Sequence, residues 1–158
     1  MGRTIAEKIL GAHAGNPQAR AGDVVVAGVD FAMLHDARAS NALRRIEQLG
    51  AGKQNAKLPF ASRTAFVLDH YSPPPNAEAA NIHREMRAFS EAHGTHLYDI
   101  GDGICHQVLP EGGHFTCGDL VTGTDTHSTT YGAFNAFGTD VEVTELAAAE
   151  LVGERWFR

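Results

Sequence analysis

Four times in this chain an apolar, strand-like run breaks abruptly into aspartate and histidine, and that recurrence limits the possible folds more than any other feature. Phe31, Met33 and Leu34 lead into His35-Asp36, and Thr64-Ala-Phe-Val-Leu68 leads into Asp69-His70. His96-Leu-Tyr98 precedes Asp99 through His106, and Val121 to Thr124 gives way to Asp125-Thr-His127. Segments of helical periodicity lie between these runs. Strands that alternate with helices point to an α/β layer fold with a largely parallel sheet flanked by helices. In such a sheet the carboxyl ends of the strands share one edge, so the acids and histidines would converge there, where open α/β sheets bind their ligands. The densest group is Asp125, Thr126, His127, Ser128, Thr129 and Thr130, six hydrogen-bonding side chains suited to gripping a small polar ligand.

The rest of the chain supplies the helices. Thr4 can cap a helix over Ile5 to Ala14 with Ile5, Ile9 and Leu10 on its apolar face, stopped by Gly15-Asn-Pro17. Asp23 to Val29 is a β-branched run that predicts a strand, and Ser40 or Asn41 can cap a helix with Leu43, Ile46 and Leu49 on one stripe, closed by Gly50. Ala51 to Leu58 reads as a polar loop. Tyr71-Ser-Pro-Pro-Pro75 forbids regular structure, because prolines lack donors and hold their neighbours extended. Asn76 then caps the longest helix, to about His93, with Ile82, Met86 and Phe89 on its core face and Gly94 as terminator. A last helix over Glu145 to Gly153 precedes Arg155-Trp-Phe-Arg158, whose two rings would be covered by further chain or by a partner.

At 158 residues the chain suits one domain, residues 1–158. A formal charge of −6 and the lack of any Lys/Arg run argue against a nucleic-acid partner. No apolar stretch approaches the length of a membrane span, and the N-terminus carries acid early without a signal-peptide core, so a cytoplasmic location is expected. Cys105 and Cys117 form no C-x-x-C unit and are expected to be free thiols.

An imidazole titrates near neutrality, and an adjacent carboxylate raises its pKa and fixes its tautomer. An Asp-His pair can therefore deliver a proton to a poor leaving group such as hydroxide. Blander roles exist for each residue: Asp69-His70 as a loop feature, His106 as a core histidine, Asp125 as a cap, and His13, His83, His93 and His96 as helix or helix-end residues without a task. His70, His106, Asp125 and His127 could instead hold a divalent metal in a stand-alone hydrolase, although no H-E-x-x-H spacing supports it.

Three motifs in order are Asp69-His70 before Tyr-Ser-Pro-Pro-Pro, Gly-Asp-Gly-Ile-Cys-His106-Gln-Val-Leu-Pro-Glu, and Gly-Thr-Asp125-Thr-His127-Ser-Thr-Thr-Tyr-Gly-Ala. With them the chain resembles the aconitase family, and within it the large subunits of 3-isopropylmalate dehydratases. The likeness runs from Thr4 to Phe157 and corresponds to the first of three α/β domains in such a subunit. It implies a hydro-lyase acting on a hydroxylated di- or tricarboxylic acid, most nearly 3-isopropylmalate of leucine biosynthesis, with a 4Fe-4S cluster as Lewis acid. On the resemblance Asp69 and His70 assist departure of the hydroxyl, and His106 lines the cluster-side pocket. Asp125 and His127 match an Asp-Ser-His element with Thr126 in the serine position, so Thr126 and the following Ser128 are expected to bind substrate, as is His35.

The resemblance also implies what is missing. The family's cluster cysteines, its base and most substrate-binding arginines come from later domains or a small subunit. The isolated chain is therefore expected to hold no cluster and to be inactive without those partners; a non-catalytic domain that binds carboxylates or a partner chain is the alternative. Thr126 adds a methyl group where relatives have serine, and Cys117 stands where proline is usual. Asp140 and Glu142 replace glycines, at a cost of about 1 kcal/mol if either position needs a positive φ.

Overall fold

The computed structural model describes residues 2–50 and 58–158, so the polar loop expected at Ala51 to Leu58 lies outside the described residues except for Leu58. Its centre is a five-stranded sheet in the order β4-β3-β2-β5-β6, with every neighbouring pair parallel. The strands are β2 (Phe31–His35), β3 (Thr64–Val67), β4 (His96–Tyr98), β5 (Leu120–Gly123) and β6 (Phe137–Asp140). The fold is thus α/β with a parallel sheet flanked by helices, as the alternation of runs predicts. The chain builds outward from β2 through β3 to β4, then returns to β5 on the other side of β2. That reversal places a topological switch point between β2 and β5, where loops diverge and leave a crevice.

Alternation along the strands decides what covers each face. Ala32, Leu34, Phe66 and Leu68 share a core with Leu43 and Ile46 of α2 (Asp36–Gly50), Met86 and Phe89 of α3 (Ala77–His93), and Leu146 of α5 (Val143–Val152). Phe31, Met33, Ala65 and Val67 share the opposite core with Cys105, Val108 and Leu109 of α4 (Cys105–Glu111) and with Tyr131. Tyr131 lies on a 3₁₀ helix, Thr126–Phe134, that follows β5. Among the described residues no helix is long and apolar enough to cross a membrane.

Local signals hold well for two helices. Thr4 and Glu7 form a reciprocal capping box on α1 (Ile5–His13). Asn76 caps α3 through a 2.9 Å bond from the Ala79 amide, and Gly94 ends it in the left-handed region. Elsewhere tertiary structure corrects the expectation. The second helix begins at Asp36, not after Ser40 or Asn41, because β2 passes straight into it. Ile5 and Leu49 are exposed and leave their expected apolar faces.

The run over Asp23 to Val29 contributes only β1 (Val25–Gly28), which pairs antiparallel with β7 (Glu154–Phe157) in a separate ribbon. In that ribbon Phe157 packs edge-on against Phe137 at 5.7 Å, so only Trp156 of the two terminal rings stands exposed. Glu142 sits at φ −71° and forms a capping box with Glu145. Asn135 is the one non-glycine with positive φ among the described residues, so Asp140 and Glu142 carry none of the strain considered for them.

Candidate active site

The crevice between β2 and β5 is walled by carboxylates and imidazoles. His35 is the last residue of β2, Asp69-His70 follow β3, and Asp125 follows β5. Cys105-His106 open α4, and Asp125 caps the 3₁₀ helix by accepting from the His127 amide at 2.6 Å. Helix α4 has no side-chain cap of its own. Asp69 substitutes for one from another loop, its Oδ2 accepting the Cys105 amide at 2.7 Å. The same carboxylate thus anchors the helix that carries His106.

His70 stands between two acids. Its Nδ1 donates to Asp69 Oδ1 at 2.7 Å and its Nε2 to Asp125 Oδ2 at 3.0 Å. The bond to Asp69 is the main reason its pKa is raised to about 9; partial burial opposes the shift without cancelling it. His70 is therefore an imidazolium at neutral pH. Burial works against ionisation of Asp69, yet its bonds from His70 and the Cys105 amide outweigh that and hold its carboxyl below the usual range. For Asp125 burial is again outweighed, by the His127 amide and by the His70 and His127 rings, and its carboxyl falls to about 2.

Three histidines meet at Asp125. Besides His70 on Oδ2, its Oδ1 faces His127 Nδ1 at 3.0 Å and His106 Nε2 at 3.2 Å. His106 is mostly buried, whereas the His127 side chain is 78% exposed and reaches into the opening. The donor atoms of His106, Asp125 and His127 lie within 4.8 Å of one another, as do those of His35, Asp36 and His70. The His70 and His127 rings hydrogen-bond Asp125 at 3.0 Å each, so these groups are already joined by ordinary hydrogen bonds.

Not every expected residue faces the crevice. Ser128 is fully buried, and a Cβ on Gly123 would come within 2.3 Å of its hydroxyl, so the 3₁₀ turn packs Ser128 against β5. Thr126, two residues earlier, is exposed beside His127. His35 is buried beneath His70, the two rings stacked at 3.9 Å, and its Nε2 donates to the Thr124 carbonyl. Burial pushes its pKa down, and its ring forms the floor under His70.

Cys105 and His83 were missed from sequence, and Asp36, expected at the sheet edge beside His35, takes a role the sequence did not suggest. Cys105 supplies the amide bound to Asp69. Asp36, fully buried, accepts the backbone amides of His70 at 3.1 Å and Tyr71 at 2.9 Å, and His83 Nε2 donates to it at 2.8 Å. His83 did carry a signal, since it lies in helical phase with the buried Ala79, Met86 and Ser90 of α3.

Comparison with known proteins adds the family. The Aconitase family (aconitate hydratase) matches residues 7–157. The 3-isopropylmalate dehydratase large subunit 1 of Methanopyrus kandleri is 43% identical over 159 residues, covering 100% of this chain and 37% of its own length. The homoaconitase large subunit of Thermus thermophilus is 42% identical over 158 residues, covering 100% of this chain and 36% of its own. The 3-isopropylmalate dehydratase large subunit of Aquifex aeolicus is 40% identical over 159 residues, with 100% and 36% covered. The chain spans little more than a third of the length of these relatives.

Proposed function

The chain belongs to the aconitase family, and from that membership we propose that it is one α/β domain of an iron-sulfur hydro-lyase acting on a hydroxylated di- or tricarboxylic acid, 3-isopropylmalate before others. The complete protein would then serve leucine biosynthesis in the cytoplasm, with further large-subunit domains and a small subunit as partners. The observation that carries this reading is the suspension of the His70 ring between Asp69 and Asp125 at the switch point of the sheet. Both large subunits of 3-isopropylmalate dehydratase cited above match the whole chain.

This chain's own residues do not fit a 4Fe-4S cluster as its ligands. Such a cluster is held by several cysteine thiolates, and the sequence has 2 cysteines. Cys117 is exposed, while burial and then the Asp69 carboxylate push the Cys105 thiol up, the reverse of what a thiolate ligand requires. Ligands for the cluster would come from elsewhere in the complete protein.

What the described residues do can be derived without it. His70 carries a proton on Nε2 and is held by Asp69 through Nδ1. When a substrate hydroxyl takes the place of Asp125 at Nε2, that proton passes to the hydroxyl oxygen. The C–O bond then breaks with its electron pair on oxygen and water leaves, while a base from outside this chain takes the proton of the neighbouring carbon and that C–H electron pair becomes the double bond. His70 remains as a neutral imidazole, its Nδ1–H still on Asp69, ready to receive the proton back in hydration. Asp125 keeps His106 and His127 oriented, and the exposed His127 and Thr126 offer donors to a substrate carboxylate.

The test is an anaerobic assay of the complete protein with its small subunit, following the unsaturated product of 3-isopropylmalate with citrate as comparator. Turnover of 3-isopropylmalate that falls by roughly 100-fold or more in H70N supports the assignment. Turnover of citrate alone would replace the substrate. No turnover of either acid by a cluster-loaded protein would favour a binding domain.

A further inference from the structure

Beneath His70 lies a polar pair that the proton-transfer scheme above does not use. Asp36 is fully buried and His83 nearly so, and they join through the 2.8 Å bond from His83 Nε2 to Asp36 Oδ2. We propose that Asp36 and His83 are positioning residues that clamp the His70–Tyr71 backbone from below and so fix where the His70 ring stands between Asp69 and Asp125. The assignment rests on the reading of His70 as the proton carrier.

The geometry ties three elements at one carboxylate. Asp36 opens α2, the amides of His70 and Tyr71 belong to the turn after β3, and His83 comes from the middle of α3. That turn has little means of satisfying itself. Just past β3 the Leu68 amide still reaches the Tyr98 carbonyl at 3.0 Å, and Pro73, Pro74 and Pro75 bring no amide hydrogens. Without Asp36 the amides of His70 and Tyr71 would be left to compete for water beside the reacting groups.

The composition of the pair argues against a purely structural role. A buried Asp-His pair is a poor stabiliser, since desolvation offsets most of its attraction, and apolar side chains of similar size often serve stability as well or better. His83 Nδ1 is buried without a hydrogen-bond partner among the described residues, a further cost that packing alone would not select. What the pair gives is direction. Asp36 Oδ1 also lies 3.9 Å from His70 Nδ1, so it faces the ring along with Asp69 and Asp125, while the His35 ring stacks on it.

The experiment compares H83L, which removes the donor, with H83Q, which can restore it. In the full 158-residue chain, amide hydrogen exchange and the ring nitrogen signals of His70 are read by NMR at one fixed pH. In H83L the His70 and Tyr71 amides lose protection by roughly tenfold or more, while Phe66 in β3 stays protected. The His70 ring signals shift, and H83Q returns both readouts toward wild type. In the complete enzyme H83L lowers kcat roughly tenfold with KM little changed, and H83Q recovers it. Wild-type His70 signals in H83L, or equal loss at Phe66 and His70 in both variants, overturn the clamp. If the NMR responses are as expected but no form of the complete protein turns over a hydroxy acid, the clamp stands and the dehydratase reading is what fails.

Discussion

His70 binds a carboxylate with each ring nitrogen, and this makes the pH dependence of the folded chain legible at a single residue. Folding raises its pKa from 6.5 to about 9, so between those values the native state keeps a proton the unfolded chain has lost. The stabilisation is complete below pH 6.5 and disappears as pH rises through about 9. Asp125 runs the other way: lowered from 3.8 to about 2, it stabilises above pH 3.8 and is lost as pH falls through 2. Urea unfolding of H70N between pH 6 and 10 should therefore show a flatter decline than wild type, and an unchanged slope would mean His70 is not held by its acids. Asp69, His70, Asp125 and His127 could be found from sequence because each follows an apolar run whose end has a fixed place in a parallel sheet. Ser128 could not be assigned that way, since the pitch of the 3₁₀ helix decides which hydroxyl turns inward.

Helix ends show the same division. Asn76 and Gly94 mark α3 because their capping chemistry is local, and α3 starts and stops where they say. Gly153 combines a local and a distant demand: it ends α5 at φ 76°, and an added Cβ would sit 2.2 Å from the Phe60 ring. Gly153→Ala should cost roughly 2–4 kcal/mol, the left-handed penalty plus overpacking. Gly94→Ala, with φ 82° and open space around it, should cost only about 1 kcal/mol. Equal losses for the two in chemical denaturation would show that Phe60 moves aside freely. The start of α2 and the existence of α4 escaped sequence reading for a common reason. The first turn of α4 is satisfied from far along the chain, by Asp69 on the Cys105 amide, and α2 starts where β2 passes straight into it, so neither shows a local cap signal.

Across the molecule one buried carboxyl group lies apart from the site. Glu150 of α5 is buried with neither carboxyl oxygen hydrogen-bonded among the described residues, and burial raises its pKa to about 8 from 4.5. A raised carboxyl binds its proton more tightly when folded, so its penalty grows as pH rises from 4.5 towards 8. Glu150→Gln should stabilise the chain at pH 8 by roughly 1–3 kcal/mol and change little at pH 4.5, as read by urea unfolding at the two pH values. No gain at pH 8 would mean that the carboxylate is compensated. The sequence by itself determined the alternation of strand and helix, and with it the parallel sheet and the edge on which its acids and histidines gather. Those properties follow from side-chain periodicity and from the one direction a parallel strand can take. Tertiary structure alone set Asp36 and His83 beneath His70, buried His35 under the same ring, and took β1 out of the sheet to pair with β7. The placing of Asp36, His83, His35 and β1 depends on hydrogen bonds and pairing between residues 34 to 132 positions apart, which no local pattern can express.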